Sequence, residues 1–156
     1  MKTKIKKLID KELKKYPVEK KQSAVIAALA LMQNDRGWLS KEDINQVAEY
    51  LNMPEIAVLE VATFYNMFDL KPTGKYKISV CTNISCMLRN SDEIVNYLKK
   101  KLKIEFDEIT KDGKFSLKES ECMGACSGAP LITINNQKMY ENLDENKIDQ
   151  LLEKLK

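Results

Sequence analysis

The chain has 156 residues, of which 44% are hydrophobic and 31% charged, and its net charge is only +3. This size allows one or two compact domains with a real core, and the composition is that of a soluble globular protein. Histidine is absent, which excludes Ser-His-Asp and Cys-His catalysis and removes the commonest metal ligand. The five glycines fit neither a dinucleotide-binding fingerprint nor a P-loop, so we expect no nucleotide site in this chain.

Apolar runs in the sequence are short. The longest, residues 24–32, has nine residues, which is far too few to span a bilayer. The basic N-terminal segment lacks the apolar core and the small-residue cleavage site of a secretory signal. We therefore expect a cytoplasmic protein without direct membrane insertion, which meets a membrane only through its partners.

Positive charge is concentrated at the start of the chain. Residues 1–21 carry nine lysines and three acidic residues, a net charge of +6, so the remaining residues sum to −3. A basic arm of this kind can bind an anionic surface. It contains no aromatic residue other than Tyr16, and no nucleic-acid-binding motif follows. We expect no nucleic-acid partner, and the lysines serve either as a solvated helix face or as a docking arm.

The first seventy residues predict helices. A first helix is expected near residues 3–15, and a second is expected over 23–36, with Gly37 in the position of a C-cap glycine. Ser40 and Asp43 have the spacing of a capping box at the start of a third helix. Its apolar stripe consists of Ile44, Val47, Ala48 and Leu51.

The segment "EIAVLEVATFYNMF" predicts a fourth helix that extends to Phe68. One side of this helix is expected to carry Ile56, Leu59, Thr63 and Met67. Four such helices indicate a small helical bundle. The aromatic end of the segment has two interpretations, because Tyr65, Met67 and Phe68 could lie in the core or face a partner subunit.

The segment "LKPTGKY" marks a boundary, since Pro72 and Gly74 break the helical pattern. "KYKISVC" then predicts a half-buried strand with Lys77 and Ser79 on its exposed side. "SDEIVNYLKKKL" predicts a helix capped by Ser91, "KFSLKE", "PLITIN" and "QKMYEN" predict strands, and "NKIDQLLEKLK" predicts a final helix. The fold class is therefore α+β or α/β, with a helical bundle domain over 1–71 and an α/β domain over 72–156.

All four cysteines lie in the second domain, as a C-x4-C pair and a C-x3-C pair. The first pair, Cys81 and Cys86, begins where the first strand is expected to end. The second pair, Cys122 and Cys126, lies between two predicted strands. Strand ends and loops of an α/β sheet are where functional sites are built. If the sheet brings the two loops together, the four thiols converge.

Several interpretations of the cysteines compete. Buried structural cysteines are common, but small and polar residues flank both pairs. Disulfides are unexpected without a secretory signal, and neither pair has the C-x-x-C spacing of a redox motif. A structural zinc site tolerates these spacings and stays open as an alternative.

A [2Fe–2S] cluster fits the cysteines best, because each of its two irons needs two terminal thiolates and the sequence offers two pairs. Backbone N–H groups must donate to the sulfurs of such a cluster. The residues expected to give this access are Thr82, Asn83 and Ser85 in the first loop, and Gly124, Ala125, Ser127, Gly128 and Ala129 in the second.

Four segments of the sequence, "EVATFYNMF", "GKYKISVCTNISCMLR", "TKDGKFSL" and "ECMGACSGAPLITIN", closely resemble one family. It is the small thioredoxin-like [2Fe–2S] component of the NADH-oxidising module of respiratory complex I, called the E subunit in bacteria and the 24 kDa subunit in mitochondria. "GWLS" and "LNMP" match as well, and the resemblance extends from about Tyr16 to the C-terminal helix. It implies a helical bundle followed by a thioredoxin-like ferredoxin domain, with Cys81, Cys86, Cys122 and Cys126 as cluster ligands.

The resemblance also implies a function. The chain would be an electron-transfer subunit of NADH:quinone oxidoreductase, without catalytic residues of its own. It would dock on the flavin subunit that binds FMN and NADH, next to the rest of the peripheral arm at the inner membrane. Similar chains serve as diaphorase subunits of NAD-linked hydrogenases and formate dehydrogenases. The sequence does not distinguish a subunit of these enzymes from a subunit of complex I. A zinc-stapled interaction module without a redox role is the alternative from a different class.

Two departures from the family pattern are small. Position 123 is Met where the family usually has Leu, which is a volume-conserving change. Position 90 is Asn where Gly is common, and Asn tolerates a positive φ. Neither position is an expected ligand.

Overall fold

The structure is a computed structural model that describes residues 1–155. The chain forms two compact units, Met1–Pro72 and a second unit that begins at Thr73. Each unit has its own cluster of buried apolar side chains. The break falls in the segment where Pro72 and Gly74 interrupt the helical pattern.

The first unit consists of helices. They are α1 (Thr3–Leu13), a 3₁₀ segment (Val18–Ala24), α2 (Val25–Arg36), α3 (Lys41–Leu51) and α4 (Glu55–Phe64). Local signals set their ends: Gly37 follows α2 with a φ of 92°, and Ser40 accepts a hydrogen bond from the Asp43 N–H at the start of α3. Both the C-cap glycine and the capping box predicted from the sequence are confirmed. The helices enclose a core in which Ile9, Leu29, Val47 and Val58 are fully buried.

The helix α4 differs from its prediction. It ends at Phe64 rather than Phe68, and its buried residues are Val58 and Ala62, whereas Ile56 is 70% exposed. The apolar residues of α4 are spread around the whole helix, so their periodicity does not single out one buried face. The aromatic segment divides: Phe68 is buried in the core, while Tyr65 and Met67 are exposed.

The second unit is built on a four-stranded sheet, which confirms the mixed fold class. The strands are β1 (Tyr76–Cys81), β2 (Phe115–Ser120), β3 (Ile132–Ile134) and β4 (Lys138–Tyr140), in the order β2-β1-β3-β4. β1 pairs in parallel with β2 and antiparallel with β3, and β3 pairs antiparallel with β4. β1 is therefore a central strand with a neighbour on each edge.

The central position of β1 overturns the prediction of a half-buried strand. Lys77 and Ser79, expected on an exposed side, retain only 4% and 3% of their accessible surface. A strand in the middle of a covered sheet is buried on both faces. Alternation in the sequence indicated a strand correctly but gave the wrong exposure for half of its residues.

Three helices complete the second unit: α5 (Ile84–Met87), α6 (Ser91–Leu102) and α7 (Glu145–Lys154). α6 and α7 are joined by a hydrogen bond from the Tyr97 hydroxyl to Asp149 Oδ1 at 2.7 Å. The prediction that Ser91 caps α6 is wrong, because Asn90 takes the N-cap position with a φ of 65° and Ser91 is the first helical residue. Among residues 1–155, no helix combines the length and the apolar character needed to cross a membrane.

Candidate metal centre

The two cysteine loops follow the carboxyl ends of two parallel neighbours, β1 and β2. Cys81 is the last residue of β1 and lies opposite Ser120, the last residue of β2. Cys122 comes two residues after Ser120. In an open sheet, the space beyond the carboxyl ends of parallel strands is where ligands bind. The parallel pairing of β1 with β2 thus brings the two loops to one edge of the sheet.

Hydrogen bonds join the two loops directly. The Thr82 N–H donates to the Ser120 carbonyl at 3.2 Å, and the Thr82 hydroxyl donates to Glu119 Oε1 at 2.7 Å. Asn83 Nδ2 donates to Glu121 Oε2 at 3.4 Å. The position of the first loop is therefore fixed relative to the start of the second.

The two pairs of thiols differ in their exposure. Cys81 and Cys86 are each only 1% exposed, whereas Cys122 and Cys126 are exposed. The buried pair forms a small apolar cluster with Ala129 and Leu131. The half-buried side chains of Met123 and Ala125 pack against this cluster, so the second loop covers the buried pair.

The thiol of Cys86 shows how the loops affect each other. Its pKa is raised to about 11, mainly by burial and in addition by its hydrogen bond to Cys81 and by the charges of Cys81 and Cys126. The backbone N–H of Leu131 donates to this sulfur and acts in the opposite direction. The pKa of Cys86 therefore depends on one cysteine of its own pair and on one of the other pair.

The sulfur atoms of Cys122 and Cys126 lie 3.8 Å apart. A tetrahedral metal with metal–sulfur bonds of about 2.3 Å holds two sulfurs about 3.8 Å apart. The distance is far longer than a disulfide bond, which is about 2.05 Å. The second pair is thus spaced as two thiolate ligands on one tetrahedral metal would be.

The thiols are arranged as pairs. The described residues contain no group of three or more Cys, Asp or Glu side chains that could hold one metal ion. A structural zinc ion takes four ligands at one centre, whereas a [2Fe–2S] cluster takes two thiolates on each of two irons. The all-sulfur donor set, in two pairs at one edge of the sheet, matches what a two-iron cluster requires.

The backbone donors differ in part from those expected. The N–H of Gly128 donates to the Ala125 carbonyl at 3.0 Å, and that of Ala129 donates to the Cys126 carbonyl at 3.3 Å, so both are engaged in the turn of the second loop. The donor to Cys86 is instead Leu131. Sequence reasoning missed Leu131 because its approach to Cys86 depends on the pairing of β3 beside β1.

Comparisons with known proteins show the family of the chain. A family model for the thioredoxin-like [2Fe-2S] ferredoxin matches residues 9–156. The chain belongs to this family. The match spans nearly the whole sequence, and it confirms the resemblance on which the expected fold rested.

Relatives of this family carry a more specific name. The chain is 50% identical over 142 residues to the E subunit of the NADH-quinone oxidoreductase of Rickettsia prowazekii, covering 90% of this chain and 80% of that protein. It is 34% identical over 144 residues to the NADH-quinone oxidoreductase subunit 2 of Thermus thermophilus, covering 92% of this chain and 80% of that protein.

A solved structure supports the fold. A chain of an NAD+-reducing [NiFe]-hydrogenase in the air-oxidized state matches 81% of this chain with a TM-score of 0.69 and 24% sequence identity. This chain spans only 22% of the hydrogenase chain. At this identity the match shows a shared fold and carries no conclusion about the parent complex.

Proposed function

We propose that this chain is the electron-transfer subunit of an NADH-quinone oxidoreductase and carries one [2Fe–2S] cluster. The observation that carries the proposal is the identity of about half of the residues with the E subunit of that enzyme over nearly the whole chain. The two pairs of thiols at one edge of the sheet support it. The parent enzyme is an oxidoreductase, and the chain acts as part of it rather than as a catalyst alone.

The proposed ligands are Cys81 and Cys86 for one iron and Cys122 and Cys126 for the other. A bound [2Fe–2S] cluster supplies a centre that accepts and donates one electron at a time. The chain's own residues fix its surroundings: the Leu131 N–H donates to Cys86, and Met123 packs over the buried pair. These contacts limit water on the side of Cys81 and Cys86, while Cys122 and Cys126 lie on the solvent side.

We propose that FMN and NADH bind to the partner flavin subunit. This chain offers neither a phosphate-binding loop nor a histidine, and hydride chemistry is supplied by nicotinamide and flavin cofactors. The role of this chain is then to exchange single electrons with that flavin, as part of the peripheral arm. In a cell the chain would lie in the cytoplasm and reach the inner membrane only through the complex.

A patch on α5 is the proposed contact with the flavin subunit. Ile84, Met87 and Leu88 are 67%, 46% and 77% exposed. Leu88 directly follows the last residue of α5, and the spacing of the three residues places them on one side of that helical turn. Contiguous exposed apolar side chains mark interaction surfaces. Cys86 lies within the same helix, so a partner seated on this patch would lie close to the proposed cluster.

The test is anaerobic purification of the full chain, followed by iron, sulfide and zinc analysis and by EPR after dithionite reduction. Two irons, two sulfides and an S = 1/2 signal for each chain are expected. Cys122→Ala should abolish this signal, and Ser23→Ala, a change at an exposed residue of the helical unit, should keep it. A normal cluster in Cys122→Ala would overturn the ligand assignment.

Zinc in place of iron, in protein produced by a host that assembles clusters, would instead support the zinc-stapled module.

Isolation of the intact complex through a tag on this chain tests which parent enzyme the chain belongs to. Mass spectrometry should identify quinone-reductase subunits, and recovery of hydrogenase or formate dehydrogenase subunits would contradict the proposal.

A further inference from the structure

A contact between Glu141 and Gly128 lies beside the second cysteine loop. Gly128 ends the 3₁₀ turn that begins at Cys126. A Cβ placed on Gly128 would lie 2.1 Å from Glu141 Oε2 and 2.6 Å from its Cδ. The carboxylate of Glu141 therefore occupies the space that any other side chain at position 128 would fill.

Backbone hydrogen bonds hold the segment around Glu141 beside the second cysteine loop. The N–H of Asn142 donates to the Gly128 carbonyl at 2.6 Å, and the N–H of Leu143 donates to the Pro130 carbonyl at 3.1 Å. Glu141 lies between the end of β4 and these two donors. The segment after β4 thus runs along the second cysteine loop, and the exposed side chain of Glu141 lies against that loop at Gly128.

A negative charge at this place has an electrostatic consequence for the proposed cluster. Four thiolates leave a [2Fe–2S] cluster negative, and reduction adds one more negative charge. The reduction potential depends on net charge, hydrogen bonds to sulfur and solvent exposure. A carboxylate held next to the turn that contains Cys126 repels the added electron, although water weakens the repulsion because Glu141 is exposed.

We propose that the negative charge of Glu141 lowers the reduction potential of the cluster, and that glycine at position 128 leaves the space in which this carboxylate lies against the ligand loop. This inference rests on the proposed function, since it needs the cluster to be present. It assigns to Gly128 a different role from the backbone access to sulfur expected from the sequence, because the N–H of Gly128 is used within the turn.

The test is a potentiometric titration of the full chain with its cluster, followed by EPR. Glu141→Gln keeps the size and the hydrogen-bonding shape of the side chain and removes its charge. We expect a shift of the midpoint potential to more positive values, with unchanged g-values and cluster content. Glu153→Gln on α7 is an equal change of charge at another exposed position. Its midpoint potential should equal that of the wild-type chain.

Gly128→Ala tests the contact from the other side. The new methyl group must displace the carboxylate, so the potential should again become more positive. When Glu141→Gln and Gly128→Ala are combined, the shift should be no larger than that of Glu141→Gln alone, because the same charge is involved.

An unchanged potential in Glu141→Gln would overturn the inference while leaving the proposed function intact. A purely structural contact would appear as a loss of cluster content without a change of potential, which also contradicts it. A wild-type chain without a [2Fe–2S] cluster would overturn both proposals, so the two failures are distinguishable.

Discussion

The side chain of Gln33 holds the chain segment that follows α4 through the backbone of Asp69. Gln33 Oε1 accepts a hydrogen bond from the Asp69 N–H at 2.7 Å, and its Nε2 donates to the Met67 carbonyl at 2.9 Å. Gln33 is only 7% exposed. A single buried amide thus satisfies two backbone groups of a segment that has left the helix.

Gln33→Leu should destabilise the helical unit. The change removes both hydrogen bonds of the Gln33 amide, and the loss of a hydrogen bond to a buried group costs about 1–3 kcal/mol. We expect a loss of about 2 kcal/mol or more in the free energy of unfolding, measured by urea denaturation. Gln22→Leu, at an exposed position, is the matched control. Equal stability of the two variants would refute the structural role of Gln33.

Gly74→Ala should destabilise the sheet unit. A Cβ on Gly74 would lie 2.4 Å from the Phe115 carbonyl carbon and 2.6 Å from the Ser116 nitrogen. These are backbone atoms of β2, which cannot move aside as a flexible side chain can. Overpacking of this kind costs about 1–3 kcal/mol, and we expect the upper part of that range in thermal or urea unfolding.

Gly113→Asn is the control for Gly74→Ala. Gly113 has a φ of 71° and open space around it, and Asn tolerates a positive φ. The asparagine variant should therefore keep nearly the stability of the wild-type chain. A larger loss at position 113 than at 74 would contradict the close approach of Gly74 to β2.

Asp149 should make stability depend on pH in the alkaline range. Its hydrogen bonds raise the pKa of Tyr97 and of Lys101, from ordinary values of about 10 and about 10.4. A group whose pKa is raised by folding stabilises the protein below its unfolded pKa, and this contribution disappears as the pH rises through the folded pKa.

Urea unfolding of the wild-type chain between about pH 8 and about pH 11 should therefore show stability that falls through the upper part of this window. Asp149→Asn should make the fall shallower and lower the pKa of the Tyr97 phenol, measured by ultraviolet difference against Tyr97→Phe. Glu153→Gln serves as the control. A pH dependence identical in wild type and Asp149→Asn would rule out the linkage.

The cysteines of the cluster-free chain should react in two classes. Cys122 and Cys126 are exposed, and Cys81 and Cys86 are buried, so iodoacetamide should alkylate the second pair first. Peptide mass spectrometry after short reaction times measures the order. In denaturant the four rates should become similar, and equally fast labelling of all four in the folded chain would contradict the burial of the first pair.

Several local features were read correctly from the sequence, although the cap of α6 was not. The capping box of Ser40 with Asp43 and the C-cap at Gly37 depend only on residues a few positions apart, so their spacing predicts them. The same holds for the strand that ends at Cys81 and for the final helix, α7. Family membership also followed from the sequence, because the cysteine spacing occurs with several flanking segments in the same order.

Only the tertiary structure decided which distant segments meet. The parallel pairing of β1 with β2 brings the loops of Cys81 and Cys122 together, and the antiparallel pairing of β3 places Leu131 beside Cys86. The burial of Lys77 follows from the same sheet order. Strand order depends on long-range packing and leaves no trace in local periodicity. For that reason the sequence indicated the proposed ligands, while the surroundings that would set their chemistry, including Glu141 against Gly128, required the fold.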